Sequence, residues 1–271
     1  MFAALYGELT PHPWRDQDSG TDAYSLFHDR SQAMGWLHDI HTATRKTVTG
    51  RETRQAGAAG LWTMNDAGQE HLYPDPGLPL AVWFQVGMEP VPTERPLPVQ
   101  PFLRCAGDAA ARIGTLQLQA VQLLLPVDGL DAASRPEPDL MPSLENAEWF
   151  GDRDPQSATS VQLRLDSGNV SSIRSAAPHM RKQLTRLEQD VFVCESYSLA
   201  EQDSLPVQPP FADRFWNGPP RHQASFHGTL AEWSLDALGW LGGLLADLSA
   251  WSGVTTPLLL TASRAGETGS G

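Results

Sequence analysis

The sequence predicts an α+β protein built of antiparallel sheets with helices on one face. Two patterns predict it. Short stretches of alternating polarity, such as "VQLRLD" (Val161 to Asp166), mark strands with one buried side. Elsewhere the apolar period lengthens to three and four residues. Ile173, Ala176, Ala177, Met180, Leu184 and Leu187 form such a helical stripe. From Thr159 onward the order is strand, helix, strand, strand, helix, strand.

In the first half, "FAALYGEL" reads as the opening strand. "DRSQAMGWLHDIHTATRK" reads as a helix capped by Ser31, with Met34, Leu37 and Ile40 inward. "AGLWTM", "LPLAVWFQVG" and "IGTLQLQAVQLLLPV" follow as strands. In the last, Leu116, Leu118 and Ala120 alternate, and then Leu123, Leu124 and Leu125 break the period. A bulge or bend near Val121 accounts for the slip. "GDAAAR" supplies a helical turn and no convincing second helix. Asp128 to Thr159, rich in proline and acidic residues, reads as a linker in which "SLENAEWF" is a short helix.

In the second half, "SGN" turns the chain from the first strand into the Ile173–Glu188 helix. Pro178 is expected to mark the start of its regular part. "VFVCESYSL" is the second strand. A proline-rich excursion, "LPVQPPFADRFWNGPP", leads to the third, "HQASFHGTLAEW". The strongest helix is Leu235 to Trp251, capped by Ser234. Its polar stripe is narrow, chiefly Asp236 and Asp247, so it is expected to be covered on nearly all sides. Gly239 and Gly243, one turn apart, suggest that another backbone comes close. "PLLLTASR" ends the pattern, and "AGETGSG" is expected to be disordered.

The element order of this half resembles the split βαβ arrangement of ferredoxin-like domains, in topology alone and with no residue motif. The first half reads as a divergent copy. The predicted organisation is therefore residues 1–127 as an α+β domain, 128–159 as linker, 160–264 as the ferredoxin-like domain and 265–271 as tail. This fold class carries many activities and transmits none by itself.

Composition narrows the classes. The chain has 271 residues, 41% hydrophobic and 19% charged, with a net charge of −13. That is a globular composition, and its acidity argues against nucleic acid as a partner. Two cysteines make no disulfide framework. "MFAALYGEL" lacks a basic, sustained apolar leader, and the 235–251 helix is too short for a membrane span and carries Asp247. A soluble, cytoplasmic protein is expected.

Chemistry-bearing residues form two groups. "HDRSQAMGWLHDIH" holds His28, Asp29, His38, Asp39 and His41, with His38 and His41 three apart on the expected helix. The H-E-x-x-H signature is missing, and no metal or other cofactor is expected. The second group is Glu195, His222, His227 and Glu232. Glu195 and His227 would become cross-strand neighbours if their strands align, a carboxylate–imidazole pair for proton transfer. Cys194 would face the other way unless a bulge intervenes. An aromatic cavity lined by Trp83, Phe84, Phe226 or Trp233 would complete a ligand site. No G-x-G-x-x-G, Walker loop, G-x-S-x-G or Cys-x-x-Cys occurs. The leading expectation is a non-enzymatic protein working through contact with a protein partner or a second copy of itself, of accessory or immunity type. The alternative is a small-molecule binder or enzyme that uses His227 and Glu195.

Overall fold

A computed structural model describes residues 1–15, 22–38, 60–69, 78–130, 136–145, 147–152, 154–199, 215, 218 and 220–265. The first half runs β1 (Phe2–Pro11), α1 (Ala23–Ala33), β2 (Thr63–Gly68), β3 (Leu80–Gly87), α2 (Val99–Ile113) and β4 (Gly114–Leu125). The second half runs β5 (Thr159–Asp166), α3 (Ser172–Arg186), β6 (Phe192–Ser198), β7 (Gln223–Leu230), α4 (Leu235–Trp251) and β8 (Leu258–Arg264). Among the described residues, five short 3-10 turns lie between β4 and β5.

All eight strands join one antiparallel sheet in the order β2-β3-β1-β4-β8-β5-β7-β6, with the helices on one face. The order reads the same from either edge when the halves are exchanged, and so does the register. Gln122 of β4 faces Thr261 of β8. Outward from that pair stand Ala4 and then Trp83 on one side, and Arg164 and then Ser225 on the other. At the seam, Val121 faces Ala262 and Leu123 faces Leu260, equidistant about Gln122 and Thr261. Each edge strand carries a one-residue irregularity at a matching place, at Asn65 in β2 and at Glu195 in β6. The β6 edge has a second device. Val191 turns its carbonyl toward Ala231, so Phe192 turns its own amide and carbonyl outward. Gln189 occupies both: its Oε1 accepts from Phe192 N at 2.9 Å and its Nε2 donates to Phe192 O at 2.6 Å. Bulges and occupied backbone groups of this kind blunt an edge against further pairing.

The helix layer explains the late apolar run. Ser234 Oγ caps α4 by accepting from Ala237 N at 3.1 Å. The whole stretch Ala237–Ala250 is buried. The backbone that comes close is that of α2. A Cβ on Gly239 would stand 2.5 Å from Gln100 Cα, so the two backbones touch where α4 has no side chain. Gly243 is different: an added Cβ would meet only Leu97 O, at 3.7 Å. An ion pair between Arg104 and Asp236, at 2.9 Å, clips the crossing from outside. Asp247 is not part of a solvated stripe; it is fully buried.

Several boundaries differ from the sequence reading. The first half does have a second helix. Val99, Phe102, Leu103, Ala106, Ala110 and Ile113 are its buried stripe, and Pro96, Pro98 and Pro101 hid it. Pro101 sits in the first turn, where no amide partner is needed. The first helix ends near Ser31 instead of starting there. Asp22 caps it through Ser25 N at 2.8 Å, and Gly35 leaves it at φ +68°. Ser31 is buried inside α1, between the Cys105 thiol and the Trp62 indole N–H, each at 3.3 Å. Pro178 lies within α3 and does not begin it. By contrast, the bulge expected near Val121 is present in the long strand β4, at Gln119: Tyr6 faces Ala120 and Gly7 faces Leu118. The tail beyond Ala265 falls outside the described residues.

Candidate functional site

The β6–β7 pair forms as expected and carries a bulge, which does not bring Cys194 to the His227 side. Cys194 faces Gly228 and Ser196 faces His227, leaving Glu195 as the extra residue. Glu195 Oε1 accepts from Thr229 Oγ1 at 3.0 Å. Thr229 is two residues from His227 on the same side of β7. His227 also lies beside Gln162 of β5. Cys194 points into the helix side, and burial raises its thiol pKa. Cys105 is pushed up to about 11 by burial. Both thiols are therefore poorer nucleophiles than a free cysteine. His222 and Glu232 lie away from this pair: the His222 backbone closes the turn at Ser167 and Gly168, and Glu232 accepts from the Ser234 hydroxyl.

The four aromatic residues named from sequence do not share a cavity. Trp83 packs on the helix-free face with Phe2, Ala4, Tyr6, Leu80 and Ala120. Phe226 packs on the opposite face, against the helices, with Tyr197 at 6.2 Å. Five strand spacings separate β3 from β7, about 24 Å at the usual interstrand distance. Phe84 is in the helix-side core, stacked on Phe27 at 4.8 Å. Trp233 donates its indole N–H to Leu118 O at 2.9 Å, beneath the Arg264 guanidinium. It bridges the two halves.

The helix-free face divides chemically at the seam. On the first half it is apolar except at Gln122, which accepts from the Tyr6 hydroxyl at 2.9 Å; on the second the positions of the matching face are Gln162, Arg164, Asp166, Ser225 and Thr261. Asp166 is 1% exposed and well satisfied. Its Oδ1 accepts from Gly168 N at 2.7 Å, and its Oδ2 takes Arg221 Nε at 2.6 Å and Gln223 Nε2 at 3.1 Å. Gly168, at φ +66°, has no room for a side chain, because a Cβ would meet Phe215 O. Asp166 therefore ties the returning end of the proline-rich excursion to the β5–α3 turn. Most of that excursion lies outside the described residues.

The histidine-rich stretch is not one helical face. His28 stacks on Tyr24 at 6.3 Å within α1. His38 lies past the helix, its amide on Trp62 O at 2.7 Å. Asp39 and His41 fall outside the described residues. Among the described residues no group of three or more His, Cys, Asp or Glu side chains is placed to hold a metal ion.

The segment between the halves was the least legible part. Residues 136–145 and 147–152 alternate between anchoring and display. Met141, Pro142, Ser143 and Phe150 are buried, and Phe150 meets Trp240 of α4 edge-on at 6.3 Å. Leu140 and Trp149, each next to a buried neighbour, are 73% and 59% exposed. Glu137, Asp139, Glu145, Glu148 and Asp152 are exposed around them. Asp139 also reaches Arg186 of α3 at 2.7 Å, which fastens the segment to the helix layer.

No helix of the described residues is long and apolar enough to cross a membrane. In comparison with known proteins, the chain matches no family model, no curated protein and no solved structure.

Proposed function

We infer that the chain is a non-enzymatic cytoplasmic protein that acts by contact with another protein, and that residues 137–152 make the contact. The observation that carries this reading is the display of Leu140 and Trp149 on a segment fixed from beneath by Met141 and Phe150. Apolar and aromatic anchors that are already ordered lose little entropy on binding. Tryptophan is prominent among the residues that dominate interface energies. The acidic side chains around both anchors favour a partner with a basic surface, which they would steer into place. A net charge of −13 makes a second copy of this chain a poorer occupant. Accessory and immunity-type proteins work in this manner.

The architecture behind this reading is two ferredoxin-like units, residues 1–127 and 160–264, joined by 128–159, with the first a divergent copy of the second. The shared element order, the mirrored register about Gln122 and Thr261 and the matching edge bulges support it. The helix-free faces would then have diverged, one apolar and one polar, after duplication.

The test is capture of partners on the immobilised chain beside a Leu140→Ala/Trp149→Ala variant. Far-UV spectra and melting of the two should coincide, since both side chains are exposed. The expected result is a basic protein retained by the parent at about 50 mM salt, released at about 300 mM and lost with the variant. No retained macromolecule, or equal retention by the variant, overturns the proposal.

A further inference from the structure

A cavity of about 230 Å³ lies where the approach to α2 crosses α4, lined by Leu61, Pro96, Leu97, Pro101, Gly243 and their neighbours. It opens beside Gly243, where an added Cβ would meet only Leu97 O at 3.7 Å; at Gly239 the α2 backbone itself takes the place of the missing side chain. Its wall is mainly apolar, and no carboxylate lines it among the described residues.

Three lining residues carry hydrogen-bonding groups without a partner: the Trp240 indole Nε1, the Ser143 hydroxyl and the Gln100 amide Nε2. Trp240 and Ser143 are each 3% exposed. All three groups can donate, and the indole and the amide nitrogen can only donate. A fourth donor-bearing side chain, Arg95, stands in the lining. Buried donors without acceptors cost free energy, and native structures rarely keep several in one place. What this place lacks is an acceptor.

We propose that this cavity is a binding site for a small organic carboxylate with an apolar body, about the size of benzoate or a short fatty acid. The volume holds roughly eight non-hydrogen atoms at the ~30 Å³ that a water occupies in the liquid. The apolar body lies against Leu61, Leu97 and the prolines. The carboxylate takes the donors of Trp240, Ser143 and Gln100. This site is independent of the Leu140–Trp149 contact surface, although Ser143 belongs to the same segment.

The full chain is titrated with benzoate, hexanoate and, as the opposite charge on a similar body, benzylamine. Binding is read by calorimetry and by the indole N–H resonances. Benzoate or hexanoate should bind saturably and shift one indole N–H, that of Trp240; benzylamine should not. Trp240→Phe keeps the ring and removes the donor, and should weaken carboxylate binding roughly ten- to a hundred-fold. Gly243→Val fills the cavity and should abolish binding; if it perturbs the fold, Ser143→Ala, which removes only a hydroxyl, is read instead and should weaken binding. Failure of both carboxylates to bind at millimolar concentration overturns the proposal. So does equal binding of benzylamine, or carboxylate affinity unchanged by Trp240→Phe.

Discussion

Alanine at Gly239 and alanine at Gly243 should change stability in opposite directions, although both sit in the same helix one turn apart. Alanine gains about 1 kcal/mol over glycine in a helix interior. At Gly243 nothing opposes that gain, because the new methyl would meet only Leu97 O at 3.7 Å. The expected outcome is about 0.5–1 kcal/mol of stabilisation. At Gly239 the methyl would lie 2.5 Å from Gln100 Cα, where two carbons rest about 3.5–4.0 Å apart. Backbone cannot rotate away as a side chain can, so α2 and α4 must separate by about 1 Å. Overpacking of this kind costs about 1–3 kcal/mol, which cancels the helix gain and exceeds it. The variants should therefore differ by about 2 kcal/mol. Urea unfolding followed by far-UV circular dichroism resolves this. With a slope near the upper end of the usual range, the midpoints separate by about 0.7 M. If Gly239→Ala is as stable as Gly243→Ala, the close crossing of α2 and α4 is wrong.

Leu241→Ala should cost about 2–5 kcal/mol, since the side chain is fully buried in the helix-layer core. Asp236→Ala, which removes a partly exposed pair with Arg104, should cost no more than about 1 kcal/mol; chemical denaturation that ranked them the other way would refute the packing described. Cys105 and Cys194 should react slowly with Ellman's reagent in the native protein and fast in denaturant, and rapid native labelling would contradict their burial. The Cys105 thiol has its pKa raised from 9.0 to about 11 in the fold. Its stabilising contribution is complete below pH 9 and is lost as pH rises through 11; Cys105→Ala should flatten that part of the stability–pH curve. Gln189→Ala should uncover the Phe192 backbone and promote concentration-dependent association in light scattering. A variant that stays monomeric where the parent does would show that the bulge alone protects the edge.

The late helix was legible because its cap and its leucines state one message: Ser234 stops the preceding chain, and only a narrow stripe, chiefly Asp236 and Asp247, interrupts the apolar surface. The β6–β7 pairing was legible from alternation alone. Other parts were hidden for identifiable reasons. α2 keeps a regular apolar stripe, but three prolines around its start imitate a loop. Ser31 has the chemistry of a cap and serves as a buried bridge, because Cys105 and Trp62 arrive from sequence-distant elements. Alternation could align Glu195 and His227 only to within one residue, and the bulge takes that residue out of register: Ser196, not Glu195, faces His227. Trp83 and Phe226 look equivalent as aromatic strand residues. Which face each one takes depends on strand order, and local pattern carries no record of that. Gly239 and Gly243 signalled only a close backbone; the donors around the cavity beside them come from α2 and from the segment read as linker as well as from Trp240 of α4.

The seam between β4 and β8 sets the timetable of folding. β4 ends at Leu125 and its central neighbour β8 begins at Leu258. A ribosome adding about 5–20 residues per second needs roughly 7–27 s to make the chain between them. Throughout that interval β4 can pair with β1 while its other edge stays open, with Leu123, Leu124 and Leu125 along it. Unlike β6 in the finished sheet, this edge gains its protection only when β8 arrives. The nascent chain thus passes through a stage in which half a sheet is complete and adhesive, and a chaperone or slow collapse of α2 over it has to bridge the wait. Synonymous codons that slow or speed the passage from 126 to 257 should change the yield of native protein without changing a single residue.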